Sequence, residues 1–345
     1  MKRSLTRLVS GVLLATAGWC AIVLGTTALA QTSTLHRGAP HSRQVEFSPS
    51  VALGDRFMGI RLLGFLALRR FDFNGIPIVE LSGLAWDEDE GLLYAVSDQG
   101  ALIHMRPSFD DGMLSAIQIQ AAHRLRGPNE QALHGEWADS EGLVAVNADD
   151  GKHGNTQLAV SFERKPRVQL FDTTGHSKRP VAIAPAHQQI RNFRSSNRAL
   201  EALARHPSFG WLTGPERPLK GQSRYDLRDV NARVWPLAPH PAKNASLVAM
   251  EAMDDGGLLT LERGFNLSAL TVIIALRRTE PLTRNNVGHP LASELIAVLD
   301  SRGDVMVDNF EGLTRHRDDR YFIVADDNES FLQMTFLLYF SLEPR

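Results

Sequence analysis

The sequence predicts an all-β protein with the architecture of a β-propeller, on three observations. Long amphipathic helical windows are scarce, and short apolar runs alternate with turns rich in Asp and Gly. One short pattern also recurs along the chain at nearly constant spacing, which indicates a repeat architecture. We favour six blades, with five as the alternative, and expect the C-terminal strand at residues 337–342 to close the ring.

The recurring pattern is a β-hairpin bounded by acidic residues. A small or acidic residue, then Gly or Ala, then Leu or Met opens one strand, and the second strand ends in an acidic residue. Five copies are spaced 59, 60, 50 and 60 residues apart and begin at Ser82, Glu141, Glu201, Glu251 and Glu311. Repeats of this length have room for about four short strands, which favours a propeller over a sandwich or a barrel.

Turn-forming segments separate the strands within these repeats. Acidic, Gly-containing segments at 87–91, 149–151 and 254–257 adjoin β-rich runs such as 92–96 and 258–261. Asp and Gly at such positions favour tight turns between antiparallel strands. The less repetitive stretches between the copies supply the chain for the additional, sixth blade.

The N-terminus is typical of a secretory signal peptide over residues 1–30. Basic residues precede an apolar stretch at 8–30, which ends in the small-residue cleavage site Ala28-Leu29-Ala30. An uncleaved membrane anchor is the alternative, because an apolar stretch of this length can span a bilayer. Cleavage predicts a periplasmic or secreted protein.

We divide the remaining chain into a polar linker at 31–59 and a propeller domain at 60–345. No later apolar run approaches the length of about 18 residues that spans a bilayer, so we expect no membrane contact after signal cleavage. The single cysteine, Cys20, lies within the predicted signal peptide, which excludes a disulfide framework and a multi-Cys zinc site. A formal net charge of −2 argues against nucleic acid as a partner, and we expect a monomer.

The acidic residues of the repeats predict a ring of carboxylates. Antiparallel pairing places the start of one strand beside the end of its partner, so both acids of a repeat lie at the same edge of their blade. Radial repetition then brings these edges to one face of the disc. The predicted ring comprises Asp98, Glu141, Glu163, Glu201, Glu216, Glu251, Glu262, Glu311, Asp326 and Asp327. It is incomplete at Ser82, where the later repeats have Glu.

Three of these acids are followed directly by an arginine: Arg164, Arg217 and Arg263. Carboxylate oxygens suit a hard cation such as Ca²⁺ or Mg²⁺, and the guanidinium fork matches a phosphate or carboxylate. The same pattern is equally typical of a structural belt of ion pairs between blades, because Glu and Arg are rarely buried unless paired. The residues alone leave both interpretations open.

Several motifs resemble the esterase-like phytase family of secreted bacterial β-propeller proteins. They are LSGLAWD at 81–87 with YAVSD at 94–98, DSEGL at 139–143 with VSFER at 160–164, NRALEAL at 197–203, and DNFEGL at 308–313 with VADDN at 324–328. The resemblance covers nearly all of the chain after the linker. It implies an exported hydrolase of phosphate or other anionic esters that uses a bound cation, with Ca²⁺ as the expected ion.

Under this resemblance we expect Glu141, Glu201 and Glu311 to be catalytic and the three arginines to bind a small anionic ester. The expected metal ligands are Glu163, Glu216, Glu251, Glu262, Asp326 and Asp327. The chain lacks a Gly-x-Ser-x-Gly elbow, a P-loop and a His-Glu-x-x-His motif, and His134 is the best histidine candidate for proton transfer. The alternative function is a non-catalytic periplasmic propeller that binds a ligand or partner, since fold does not decide function.

Overall fold

The computed structural model describes residues 40–327 and 334–344, all within the compact unit Ala39–Arg345. The predicted signal peptide and residues 31–39 of the predicted linker lie outside the described residues. The described helices are the short α1, Pro185–Gln188, and two 3₁₀ turns, Gly135–Trp137 and Ile190–Asn192. None of them has the length and apolar character needed to cross a bilayer.

Nearly all regular structure in the described chain is β-strand. The strands are β1 Ser42–Gln44, β2 Arg56–Phe57, β3 Ile60–Leu68, β4 Asp72–Phe73, β5 Ile76–Pro77, β6 Leu81–Asp87, β7 Leu92–Ser97, β8 Ala101–Asp110, β9 Met113–Arg124, β10 Ser140–Val146, β11 Gln157–Phe162, β12 Arg167–Asp172, β13 Ser177–Val181, β14 Leu200–His206, β15 Gly210–Pro215, β16 Tyr225–Asp229, β17 Val234–Leu237, β18 Ser246–Ala252, β19 Leu258–Asn266, β20 Thr271–Thr279, β21 Ser293–Asp300, β22 Asn309–Arg315, β23 Arg320–Asp326 and β24 Phe336–Leu342.

These strands form a five-bladed β-propeller, which confirms the predicted fold at the smaller of the two blade numbers. Blades one to four are the consecutive antiparallel sheets β6–β9, β10–β13, β14–β17 and β18–β21. Blade five has the order β22-β23-β24-β3, with β1 and β2 both paired to β3. The innermost strands β6, β10, β14, β18 and β22 contact one another in a closed cycle around the axis.

The ring closes by pairing of the two ends of the propeller chain. The C-terminal strand β24 lies between β23 and the N-terminal strand β3, with Tyr339 opposite Gly64 and Leu338 opposite Phe65. The C-terminal strand therefore closes the ring as predicted, and an N-terminal strand completes the same blade. The residues that we expected to form a sixth blade are instead used in blade five, through β3, and in the long strands β8 and β9, which have 10 and 12 residues.

The segment 40–59, predicted as linker, packs onto blade five. Strand β1 pairs with β3, and the side chain of Phe47 is 3% exposed and contacts Phe65 edge-to-face at 5.6 Å between ring centroids. Its polar composition suggested a linker because β1 is an edge strand whose Arg43 and Gln44 are exposed.

Five apolar clusters form the core, one between each pair of neighbouring blades. Alternate residues of one strand enter different clusters: Leu93 and Ala95 of β7 face blade five, whereas Tyr94 and Val96 face blade two. Blade strands are therefore buried on both faces, which explains why they read as continuous apolar runs in the sequence. The polar residues at the ends of the strands lie at the face of the disc.

Candidate functional site

A β-bulge at the start of each innermost strand positions the predicted catalytic acids. In every blade the pairing between the first and second strands skips one or two residues near this point. The skipped positions are Ser82, Glu141 with Gly142, Glu201, Val248 and Glu311. Bulges re-aim a side chain and increase the local twist. The structure therefore places Glu141, Glu201 and Glu311 at equivalent positions around the axis.

The small residue that follows each bulge allows the neighbouring blade to approach closely. A Cβ atom on Gly83 would lie 2.1 Å from the carbonyl oxygen of Glu141, and one on Gly142 would lie 2.8 Å from that of Glu201. A Cβ atom on Gly312 would lie 2.9 Å from the carbonyl oxygen of Ser82. The repeated Glu-Gly and Glu-Ala pairs thus follow from the packing of bulges around a narrow axis.

A second set of charged residues lies on the second strand of each blade, one position beyond the residue paired just before the bulge. The residues at this register position are Asp98, Glu163, Glu216, Arg263 and Asp326. Blade four carries an arginine here because Leu247 pairs with Glu262, whereas in blade three Leu200 pairs with Pro215. The repeat pattern in the sequence aligned Glu262 with Glu216, but the residue of blade four that is structurally equivalent to Glu216 is the next one, Arg263.

Glu251 does not join the other acids, which corrects the expectation for that residue. It lies near the end of β18, at the opposite end from the bulge, where Val248 takes the place of the acid. The backbone N–H of Arg315 donates to its carboxylate at 3.4 Å, and burial raises the pKa of Glu251 to about 7. The likeness of Glu-Ala-Met at 251–253 to Glu-Ala-Leu at 201–203 placed this repeat three residues too late.

Glu262 and Asp327 are held in structural ion pairs. Glu262, 1% exposed, pairs with Arg277 and accepts the backbone N–H of His240 at 2.7 Å. Asp327, which is fully buried, pairs with Arg70 at 2.7 Å between Nε and Oδ2. For these two acids the geometry is that of the ion-pair belt rather than of an open metal site.

The remaining acids form what we call the carboxylate ring: Asp98, Asp139, Glu141, Glu163, Glu201, Glu216, Glu311 and Asp326. Arg263 lies among them, pairs with Glu311, and has Nη2 at 3.6 Å from Oε1 of Glu216. Burial lowers the pKa of Arg263, but the surrounding carboxylates outweigh that effect and raise it above its ordinary value. Arg263 is thus a structural cation of the ring.

Two of the bulge glutamates, Glu141 and Glu201, have no such partner among the described residues. They are 7% and 5% exposed, and neither carboxylate makes a hydrogen bond or ion pair within the described parts of the chain. Burial is the main reason that both pKa values lie well above the ordinary range, and neighbouring carboxylates raise them further. Burial likewise raises the pKa of Glu163 to about 8. Without a cation, the ring therefore retains protons near neutral pH.

Three members of the ring have the spacing of a cation site. Carboxylate oxygens of Asp139, Glu141 and Glu163 all lie within 4.8 Å of one another. Oxygen atoms on one Ca²⁺ lie at about 2.3–2.6 Å from it, so this separation and donor chemistry fit the ion. Asp98 adds a buried oxygen, Oδ1, with no hydrogen-bond partner among the described residues. The residues present therefore fit a calcium site.

Asp139 was not among the predicted ligands, although it opens the motif at 139–143. It precedes β10, and its Oδ2 pairs with Nε of Arg164 at 3.0 Å. Its position two residues before Glu141 was the feature of the sequence that could have identified it as a ligand. The backbone N–H of Glu163 donates to the Asp139 carbonyl oxygen at 3.0 Å and brings the two side chains to the same edge.

Two clefts adjoin the ring. The first, of about 680 Å³, is lined by Asp98, Asp139, His134 and Arg164 among others. The second, of about 460 Å³, contains three arginines, Arg198, Arg217 and Arg263. The predicted substrate-binding arginines are therefore divided between the clefts, and Arg198, which was not predicted as a site residue, joins two of them.

The chain is similar to known proteins in family and in fold. A family model described as "Phytase-like: Esterase-like activity of phytase" matches residues 76–329. No curated protein matches the chain. Among solved structures, the Cps50 (Swd1) β-propeller domain of Myceliophteria thermophila is 12% identical, with a TM-score of 0.37, over 88% of this chain and 97% of that one. The Dos1 propeller is 10% identical, with a TM-score of 0.33, over 80% and 72%.

Proposed function

The chain belongs to the phytase-like family, and from that premise we propose that it is an exported hydrolase of phosphate or other anionic esters that works with Ca²⁺. The observation that carries the proposal is the cluster of carboxylates around Glu141, which is itself buried without an ion pair among the described residues, with oxygens spaced for a hard cation. Such groups are strongly disfavoured as anions unless a cation or proton compensates them. Perturbed carboxyls beside a cleft are a recognised feature of active sites.

The ring would hold the cation through Asp139, Glu141 and Glu163. A bound Ca²⁺ would neutralise these carboxylates and polarise an ester oxygen as a Lewis acid. Arg164, which contacts Asp139, and Arg217, beside Glu216, are placed to orient the anionic group of the substrate from the two clefts. Both functions then meet at one face of the disc.

We assign Glu201 the role of proton donor in the ring. It lies at the bulge, and burial holds the pKa of its carboxyl well above the ordinary value, which favours the protonated form. A protonated carboxyl can transfer its proton to the leaving oxygen of an ester. Glu311, by contrast, is paired with Arg263 and accepts from Asn309 at 3.1 Å, so we assign it the positioning of Arg263.

The test is hydrolysis of a panel of chromogenic phosphate and carboxylate esters by the protein from residue 31 onward, with calcium and with chelator. We expect chelator-sensitive turnover of a phosphate ester, and loss of it in Glu141→Gln and Glu201→Gln. The matched control is Glu46→Gln, an exposed residue at the outer edge of blade five. Turnover that persists in both ring variants would remove the ring from catalysis.

The ion pairs of Glu262 and Asp327 favour a second candidate, a propeller that binds a ligand without transforming it. In that case the acids with arginine partners are structural, and the ring is only a binding surface. Calcium binding measured by isothermal titration, together with no hydrolysis of any ester in the panel, would support this candidate over the hydrolase.

A further inference from the structure

One hairpin of blade four projects beyond the carboxylate ring. Arg263 occupies the ring position, and β19 continues for three more residues to Asn266 before the turn at 267–270. The second strands of the other blades end at or just before the equivalent position, at Ser97, Phe162, Pro215 and Asp326. At about 3.4 Å per residue, the extension carries the β19–β20 hairpin about 10 Å past the ring.

The projecting hairpin presents apolar side chains to solvent. Leu267 and Leu270 at its tip are 71% and 76% exposed, and Phe265 is 39% exposed. Phe265 pairs with Val272, and both line the second cleft together with Arg263. Because alternate residues of a strand share a face, Phe265 continues the face of Arg263 outward. The second cleft therefore has an apolar outer wall.

The inner part of the same cleft holds three arginines and one carboxylate, that of Glu216. Arg198 is exposed and makes no ion pair or hydrogen bond within the described residues. The Nε atom of Arg217 is buried without a hydrogen-bond partner, although its Nη1 donates to the carbonyl oxygen of Ala245 at 2.7 Å. The Glu216 carboxylate lies between two of the arginines, with Oε1 at 3.9 Å from Nε of Arg217 and 3.6 Å from Nη2 of Arg263. Arg198 is the arginine of this cleft that has no carboxylate partner among the described residues, and a bound anion would supply one.

We propose that the second cleft recognises an amphipathic anionic ester, with the anionic group against Arg198 and Arg217 and an apolar chain or ring along Phe265 and Val272. Identifying this ligand as the substrate rests on the proposed hydrolytic function. The ligand is a single soluble molecule, because a cleft of about 460 Å³ has the size of a small-molecule site. Leu267 and Leu270 extend the apolar wall for longer chains.

The experiment measures binding of methyl-, butyl- and octylphosphonate by isothermal titration in the presence of calcium. These probes carry a P–C bond that ester hydrolysis does not cleave, so binding is read independently of turnover. We expect affinity to rise at least about tenfold from methyl to octyl, because each methylene buried against the hairpin adds to binding. Arg198→Gln should weaken all three probes by a similar factor, about three- to tenfold at low salt.

The hairpin variants test the contribution of the apolar side chains to binding separately from that of the arginines. Leu267→Ser with Leu270→Ser, and separately Phe265→Ser, should flatten the dependence on chain length while methylphosphonate binds as before. Matched controls are Leu295→Ser, 44% exposed on β21, and Arg284→Gln, an exposed residue in the segment between β20 and β21. The leucine pair is so exposed that its removal should leave the fold intact, which a thermal midpoint would verify.

Equal affinity for the three phosphonates, or a chain-length dependence that survives in both hairpin variants, would overturn the inference. Binding to phosphatidic acid vesicles without binding to soluble octylphosphonate would also overturn it, in favour of a membrane surface. Chain-length-dependent binding by a protein that hydrolyses no ester would support recognition of amphipathic anions and remove the hydrolase assignment instead.

Discussion

Arg263 and Glu216 occupy the same register position in neighbouring blades, and Nη2 of the arginine lies 3.6 Å from Oε1 of the glutamate. Arg263 also pairs with Glu311 in blade five, so one guanidinium joins three blades across the axis. At this register position the other four blades have an acidic residue, and blade four has an arginine. Blade four thereby supplies a fixed positive charge to a ring that otherwise consists of acids.

Replacing Arg263 should destabilise the protein more than the loss of an ordinary ion pair. Arg263→Gln leaves Glu311 buried beside other carboxylates without its cation and leaves Glu216 with Arg217 alone, and removing one partner of a buried pair lowers stability by about 3 kcal/mol. Urea denaturation in chelator at pH 7 measures this. Glu311→Gln in the same background should recover part of the loss, whereas Arg302→Gln, in an exposed pair with Asp300, should change little. An Arg263→Gln protein as stable as the parent would contradict the bridging role.

The unpaired acids predict how stability depends on pH. Burial raises the pKa of Glu141, Glu163 and Glu201, that of Glu163 to about 8, so above about 4.5, the ordinary Glu value, the folded protein holds more protons than the unfolded chain. Stability contributed by the neutral carboxyls is complete below the unfolded value and is lost as pH rises through the folded values. In chelator, the free energy of unfolding should therefore fall from pH 5 to pH 8.

Denaturation at several pH values, with chelator and with calcium, measures this slope. Calcium should flatten it, because the ion replaces the protons at the ring. Glu141→Gln should reduce the slope in chelator, and the exposed control Glu46→Gln should not. Stability that stays constant or rises with pH in chelator would show that other groups dominate the titration.

The predicted cation site makes a separate prediction about affinity. Calcium should raise the thermal midpoint at pH 7, because a ligand that binds the folded state stabilises it. Asp139→Asn and Glu141→Gln should each lower calcium affinity at least about tenfold, since each removes one anionic oxygen ligand. Asp149→Asn, at an exposed turn, is the matched control. Equal calcium affinity in all three variants would show that the ion does not bind at this part of the ring.

Much of the fold and part of the site could be predicted from the repeat. Strand order within a blade follows from short hairpins, and the Glu-Gly and Glu-Ala pairs located the bulge acids Glu141, Glu201 and Glu311. The fourth repeat could not be placed because Val248 and Arg263 replace its acids, while a chance likeness at Glu251 offered a false alignment. A bulge shifts register by one residue, and composition does not show on which side of it a residue lies.

The bulge geometry predicts that a single methyl group between blades will disturb both stability and the site. A Cβ atom on Gly83 would lie 2.1 Å from the carbonyl oxygen of Glu141, and backbone at that distance has to move. We expect Gly83→Ala to destabilise the protein by about 2–3 kcal/mol, in the range of overpacked cores, and to weaken calcium binding because it displaces the Glu141 bulge. Gly303→Ala, in the turn after β21 with its nearest atom at 3.3 Å, should lie within about 0.5 kcal/mol of the parent. Urea denaturation and calcium titration of the two variants measure both effects, and a Gly83→Ala protein that loses stability but keeps its calcium affinity would separate the packing of the axis from the cation site.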